Sequence, residues 1–207
     1  MNELVKSIEH LKHNNIQKKI RRRIREFKDI DRNSNENLFM ELCFCILTAN
    51  FSAKRAIGIH TKLHDCFCTD TKESLSKKLR EQGYRFPNIR AKFIKEAYMF
   101  KDKLSGVIQN FEGDERRTWL VVHIPGFGLK EASHFLRNIG YDEYAIIDSH
   151  ILDLLHRYRL IKKPQTLTER KYKEIEQVIQ RLATQTGLTC AELDLYLWYM
   201  ETGTVLK

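Results

Sequence analysis

The segment Ile124-Pro125-Gly126-Phe127-Gly128 lies between two stretches of helical periodicity, and it constrains the fold more than any other part of the chain. Pro125 fixes one φ angle, while Gly126 and Gly128 permit backbone conformations and close approaches that a side chain would block. A connection this tight between residues 114–123 and 129–139 reads as a helix-hairpin-helix. Its N–H groups, backed by the positive end of the second helix, suit a phosphate and read no base sequence. A helix-helix turn with two glycines also serves packing alone.

The remaining periodicity is helical nearly throughout. Leu4, Ile8 and Leu11, then Ile16, Ile20, Ile24 and Phe27, recur at three- and four-residue steps. Lys18, Lys19, Arg21, Arg22, Arg23 and Arg25 crowd the other faces, as a solvated helix surface does. Leu38, Phe39, Leu42, Cys43, Ile46 and Leu47 mark a deeply buried helix ending near Asn50. Further helices are expected over 53–63, 72–82, 89–104, after Asp148, and over Glu169–Thr186 with Gly187 as its stop. Thr189 with Glu192 fits a capping box for a last helix running to about Met200. No segment reads as a strand, so the expected architecture is one compact all-α unit.

A net charge of +9 on 207 residues favours a polyanionic partner. No apolar run approaches the ~18 residues of a membrane span, and the first residues lack the apolar stretch of a signal peptide. A soluble, cytoplasmic protein with reduced cysteines is therefore expected. Cys43-Phe44-Cys45 and Cys66-Phe67-Cys68 lack the two-residue gap of common zinc sites, with only His60 and His64 nearby, and read as core residues.

Lys130 falls in the first turn of the hairpin's second helix. The helix field there disfavours a cation and favours the free amine that a nucleophile needs; a phosphate-binding lysine is a compatible second role. Asp148 follows the apolar run Ala145-Ile146-Ile147 and opens another helix, where an N-cap is its plainest role. One lysine and one aspartate 18 residues apart, a helix plus a loop, make a more specific pattern than either alone.

Ile124 to Ala132 and Ile146-Ile147-Asp148-Ser149-His150 resemble the helix-hairpin-helix DNA glycosylase superfamily that includes endonuclease III. The string Lys130 to Asn138, the segment Glu41 to Asn50, and the ending Asp194-Leu195-Tyr196-Leu197-Trp198-Tyr199 with Lys207 resemble the archaeal-type 8-oxoguanine DNA glycosylase/AP lyase family. The resemblance covers essentially the whole chain. It implies two helical subdomains flanking an active-site cleft, about 36–142 with the hairpin, and about 1–35 plus 143–207. It implies a monomer acting on duplex DNA that contains 8-oxoguanine, in the prokaryotic nucleoid and not at a membrane.

The same resemblance implies roles for individual residues. Lys130 would attack C1′ of a flipped nucleotide, and β-elimination at the resulting Schiff base would cut the strand; Asp148 would stabilise the positive sugar. Asn50 would fill the gap left in the duplex, its other reading being a helix C-cap. Arg85 and Phe86 would probe the strand and the partner base, Phe86 reading otherwise as core. Gly126 and Gly128 would meet phosphate, and the backbone carbonyls of Val122, Ile124 and Phe127 would hold a monovalent cation. The carboxylate of Lys207 would accept from N7–H, the atom that distinguishes 8-oxoguanine from guanine, with Trp198 supporting the base. Without the resemblance these two read as a frayed tail and a core tryptophan. No cofactor is required for this chemistry. Only Cys190 follows Asp148, so the four-cysteine iron–sulfur cluster of endonuclease III relatives is not expected. Ser149 stands where relatives commonly carry a basic residue, and the hairpin reads Phe-Gly-Leu where relatives often differ. Three rival readings remain: a same-fold glycosylase for another oxidised or alkylated base, a non-catalytic helix-hairpin-helix DNA-binding module, and a structural or regulatory protein that uses the basic surface alone.

Overall fold

The computed structural model describes residues 2–207, with the side chain of Asn2 outside the description. Among them the regular structure is helical: α1 (Asn2–Lys12), α2 (Ile16–Lys28), α3 (Asn35–Thr48), α4 (Ala53–Lys62), α5 (Cys66–Thr69), α6 (Lys72–Glu81) and α7 (Pro87–Tyr98) come first. A 3-10 turn over Lys101–Lys103 leads to α8 (Leu104–Asn110), then α9 (Gly113–His123), α10 (Leu129–Asn138), α11 (Ser149–Arg157), α12 (Glu169–Thr186) and α13 (Cys190–Thr202). No helix among the described residues is long and apolar enough to cross a membrane. The chain divides into two compact units, Ile30–Phe135 and Met1–Asp29 with Leu136–Lys207.

In the unit Ile30–Phe135, α3 is the central element. Ser34 caps it by accepting from the Asn37 N–H at 3.2 Å, and every residue from Leu38 to Thr48 is buried. Its Cys43 and Cys45 thiols are core groups, and burial pushes the Cys43 thiol well up from its ordinary range. Among the described residues, no three His, Cys, Asp or Glu side chains converge on a metal site.

The helix expected over 89–104 stops at Tyr98, and a 3-10 turn over Lys101–Lys103 follows before α8 begins. The Asn35 side chain, distant in sequence, accepts from the Ser105 N–H at 2.8 Å and donates to the Asp102 carbonyl at 3.1 Å. It thereby satisfies backbone groups that a helix stop exposes. Phe100, within the break, packs edge-on against Trp119 and His123, each 5.8 Å away. The short helices α5 and α8 lie outside the sequence expectation, because neither is long enough to show a period.

In the other unit, Ile16, Ile20, Ile24 and Phe27 of α2 pack on Ala191, Leu195 and Tyr196 of α13. The predicted capping box at Thr189 and Glu192 is present, with bonds of 3.0 and 3.2 Å, and Gly187 adopts the left-handed conformation after α12. Lys18, Lys19, Arg21, Arg22 and Arg25 form an exposed face of α2, as expected. The stripe on residues 4–27 is carried by two helices, since the chain breaks between Lys12 and Ile16.

A buried ion pair closes this unit. Arg137 pairs with Asp194, donates to Asn138 Oδ1 at 2.7 and 3.0 Å, and lies 4.9 Å from the centre of the Phe27 ring. Both charged side chains are almost wholly inaccessible. Removing one partner leaves the other charge buried and uncompensated. Asp194→Ala is expected to lower stability by about 3–5 kcal/mol, read as a fall in denaturation midpoint.

Candidate active site

The hairpin joins α9 to α10 with few residues, and its backbone explains why. Ile124 leaves the helix in an extended conformation, and its carbonyl accepts the Phe127 N–H at 3.1 Å. Gly126 has φ +81°, and a Cβ there would lie 2.5 Å from the Phe93 ring on α7. Both the backbone conformation and the packing therefore require glycine at 126. At Gly128 a Cβ would meet only Glu131 Oε2, at an ordinary 3.6 Å. The expectation that both glycines serve close approach thus holds within the chain for Gly126 alone.

Glu131 is the unexpected member of this turn. Its Oε2 accepts the Gly128 N–H at 3.3 Å, while Oε1 lies 3.5 Å from Lys130 Nζ. One N–H that sequence reading reserved for phosphate is thus occupied by a carboxylate of the same turn. The spacing is that of a helix N-terminal cap, glycine followed by glutamate three positions later, and this signal is legible in the sequence. The Lys130 side chain keeps 24 % of its surface open, enough for a ligand to reach the amine. Ile124 and Phe127 are buried, whereas Val122 is 70 % exposed beside them. The Ile124 carbonyl, already accepting once, keeps a second lone pair.

The other candidates of this unit meet around α7. Asn50 follows α3 in the left-handed region, φ +56°, with its side chain exposed. Ala49 before it is the helix C-cap and is extended, and the Phe51 N–H closes on the Thr48 carbonyl at 3.2 Å, so Asn50 takes the left-handed position of a type II turn and does not cap the helix. Arg85 is exposed and its guanidinium lies 4.9 Å from the centre of the half-buried Phe86 ring. Arg90, buried on α7, ties both loops together. It donates to the Ala49 carbonyl at 2.7 Å and to the Tyr84 hydroxyl at 3.3 Å, and its guanidinium sits 5.9 Å from Phe86 and 5.7 Å from Phe93. Tyr84 in turn donates to the Leu47 carbonyl at 2.7 Å. Sequence reading gives no sign of Arg90, which among Arg85, Lys92 and Lys95 resembles a solvated charge.

Asp148 belongs to the second unit, itself extended, at the end of the non-helical stretch Tyr144–Ile147, which is buried. That stretch has no sheet neighbour, so α12 supplies its partners. The Tyr172 hydroxyl donates to the Ala145 carbonyl at 2.7 Å and accepts the Ile147 N–H at 3.3 Å; Glu176 accepts the Ala145 N–H at 3.2 Å. Held in this way, Asp148 caps α11, its Oδ1 accepting the Ile151 N–H at 2.9 Å. The side chain is half-buried. Neither Tyr172 nor Glu176 stands out in the sequence, where both fall on an ordinary helical stripe.

His150, two residues on, meets the Trp198 ring edge-on at 5.3 Å. Beyond Trp198 the chain reverses at Gly203, φ +69°, and Val205 packs against the Ile16 to Tyr196 core. The final residues Val205, Leu206 and Lys207 are half-buried, so the tail is packed and not frayed. Cys190 lies buried at the start of α13, its thiol pushed up to about 12 by burial.

These features define a helix-hairpin-helix protein with a lysine in the hairpin's second helix and a capping aspartate on a pinned non-helical segment. Residues 20–188 match the family model described as 8-oxoguanine DNA glycosylase, and the chain belongs to that family. It is 48 % identical over 206 residues to the 8-oxoguanine DNA glycosylase/AP lyase of Methanocaldococcus jannaschii, covering 99 % of each chain. It is 47 % identical over 210 residues to the Korarchaeum cryptofilum protein of the same name, covering 100 % of this chain and 99 % of that one. A crystal structure of the M. jannaschii glycosylase/lyase in complex with a 15mer DNA containing 8-oxoguanine superposes with TM-score 0.96 at 47 % identity, covering 99 % of this chain and 100 % of that one. The Thermotoga maritima 8-oxoguanine DNA glycosylase superposes with TM-score 0.94 at 37 % identity, covering 100 % and 99 %.

The two hairpin glycines separate fold from ligand. Gly126→Ala is expected to destabilise the protein by about 1–3 kcal/mol through its φ and the displaced Phe93 ring. Gly128→Ala should keep the wild-type melting temperature and weaken duplex binding, measured by fluorescence anisotropy.

Proposed function

We propose that this chain is a DNA repair enzyme that excises 8-oxoguanine from duplex DNA and then cleaves the abasic strand. Family membership over residues 20–188 carries this reading, together with the pairing of Lys130 and Asp148 in the sequence. The M. jannaschii relative, named a glycosylase/lyase and crystallised with 8-oxoguanine DNA, supports the substrate.

In this reading Lys130, as the free amine, attacks C1′ of the flipped nucleotide. The N-glycosidic bond breaks, the base leaves with the bonding pair, and the amine becomes an iminium after the sugar ring opens. Loss of a C2′ proton then expels the 3′ phosphate by β-elimination. Asp148 stabilises positive charge on the sugar and assists proton transfer through the carboxylate oxygen not used in the cap. Hairpin N–H groups hold the backbone phosphate, and Asn50, Arg85 and Phe86 occupy the opened duplex. A monovalent cation on the carbonyls of Val122, Ile124 and Phe127 would add positive charge beside that phosphate; neutral carbonyl oxygens suit such an ion. Lys207 and Trp198 contribute the base site, the terminal carboxylate accepting from N7–H.

Borohydride trapping tests the nucleophile. The wild-type chain is expected to give a covalent adduct with 8-oxoguanine duplex and Lys130→Gln none; a full adduct from the variant would remove Lys130 from this role. Deletion of Lys207 tests the base reader. A large loss of discrimination between 8-oxoguanine and guanine is expected, and unchanged excision would remove the tail from the site.

A further inference from the structure

The face of α13 that carries Trp198 also carries Glu201, three residues later. Trp198 Nε1 and Glu201 Oε1 are both buried, and neither has a hydrogen-bond partner among the described residues. The Glu201 side chain is only 10 % exposed. Its other oxygen, Oε2, accepts from Arg157 Nη2 at 2.8 Å, which fixes the carboxylate and leaves Oε1 to face elsewhere. The Trp198 ring is oriented by His150, two residues from Asp148. A fold seldom leaves a charged acceptor and an indole donor both buried and unmet, because each forfeits its hydration without replacement. Such atoms mark a place that a ligand completes.

The pair has a definite chemical complement. An acceptor and a donor one turn apart on α13 suit the Watson–Crick edge of a guanine-type base, which offers N1–H and a 2-amino group as donors and O6 as an acceptor. An adenine-type base presents the reverse on that edge, with N1 accepting and the 6-amino group donating. We propose that Glu201 is a specificity-determining residue that accepts from the N1–H and 2-amino edge of the flipped base, while Trp198 Nε1 donates to O6. This rests on the reading of Trp198 as part of the base site.

Oxidation at C8 changes the opposite edge of the purine, so Glu201 does not detect damage. It selects guanine-type from adenine-type bases, and the mark of oxidation is read separately at N7. Opposed donors and acceptors discriminate strongly, since the wrong base leaves buried polar groups unpaired on both sides.

Single-turnover excision from duplexes bearing one 8-oxoguanine or one 8-oxoadenine, with strand cleavage of a preformed abasic duplex alongside, tests the assignment. Glu201→Gln is expected to excise 8-oxoguanine roughly ten- to a hundredfold more slowly, the worth of a hydrogen bond to a charged group. Its rate ratio for 8-oxoguanine over 8-oxoadenine should fall by about tenfold or more, because an amide can also donate to adenine N1. Trp198→Phe, which keeps a ring and removes the donor, should lower the same ratio. Wild-type 8-oxoguanine excision by Glu201→Gln would overturn the proposal. Equal slowing of base excision and abasic cleavage, with a lowered melting temperature, would overturn it too and assign Glu201 to the fold through Arg157. Failure of the wild-type chain to excise 8-oxoguanine would instead refute the functional reading on which the proposal rests.

Discussion

The hairpin, the stretch before Asp148, the turn after α3 and the break before α8 are irregular backbone in an otherwise helical chain, and buried backbone groups must be paired. A helix satisfies its own N–H and C=O groups except at its ends, but an extended stretch or a tight turn without a sheet neighbour cannot. The protein solves this with buried polar side chains. Tyr172 and Glu176 complete the Tyr144–Ile147 stretch, Arg90 and Tyr84 complete the turn after α3, Asn35 completes the break before α8, and Glu131 completes the hairpin at Gly128. Except for Tyr84, which lies between α6 and α7, the side chain comes from a regular helix or its first turn, so a rigid element positions backbone that lies on a loop.

Arg90 and Phe93 show how far one helix can carry this. They stand three residues apart on α7; one holds the Ala49 carbonyl beside Asn50, and the other fills the space under Gly126. The proposed wedge loop and the phosphate-binding hairpin are thus registered on a single helix within the same unit. The pairing of Glu131 with Gly128 adds an electrostatic consequence. A phosphate on this turn would compete with a carboxylate for the Gly128 N–H, and displacing it would free that carboxylate beside Lys130. Backbone donors at a helix start favour either anion, so the stronger contact decides the arrangement.

The hairpin, the paired Lys130 and Asp148, the helical class and the capping box at Thr189 were legible because each is a local pattern with a fixed spacing. Gly126 was legible for the same reason, since a left-handed turn restricts the residue type. Asn35, Arg90, Tyr172 and Glu176 were not legible. Each acts on backbone far away in sequence, 25 to 70 residues for these bonds, and each sits in a helix where its residue type is unremarkable. The break after Tyr98 escaped for the same reason, because Asn35 and the Phe100 ring impose it from outside the segment. The packing of the tail has no local signature for a different cause: Gly203 and Val205 reveal it only when the α2 stripe is present to receive them.

The division of recognition follows from what each element can sense. Glycine-rich backbone and helix ends see phosphate, which every nucleotide carries, so they bind without choosing. Base identity requires donors and acceptors held in a buried setting where an unmet partner is costly, and α13 has that character at Trp198 and Glu201. A base and its oxidised form share the Watson–Crick edge and differ at N7. One reader therefore cannot perform both tasks, because the atoms that name the base and the atom that marks the damage lie on opposite edges of the ring. A carboxylate at each edge would satisfy the guanine-type base oxidised at C8, which offers N1–H and the 2-amino group to one and N7–H to the other, whereas an adenine-type base sets an N1 acceptor against the first.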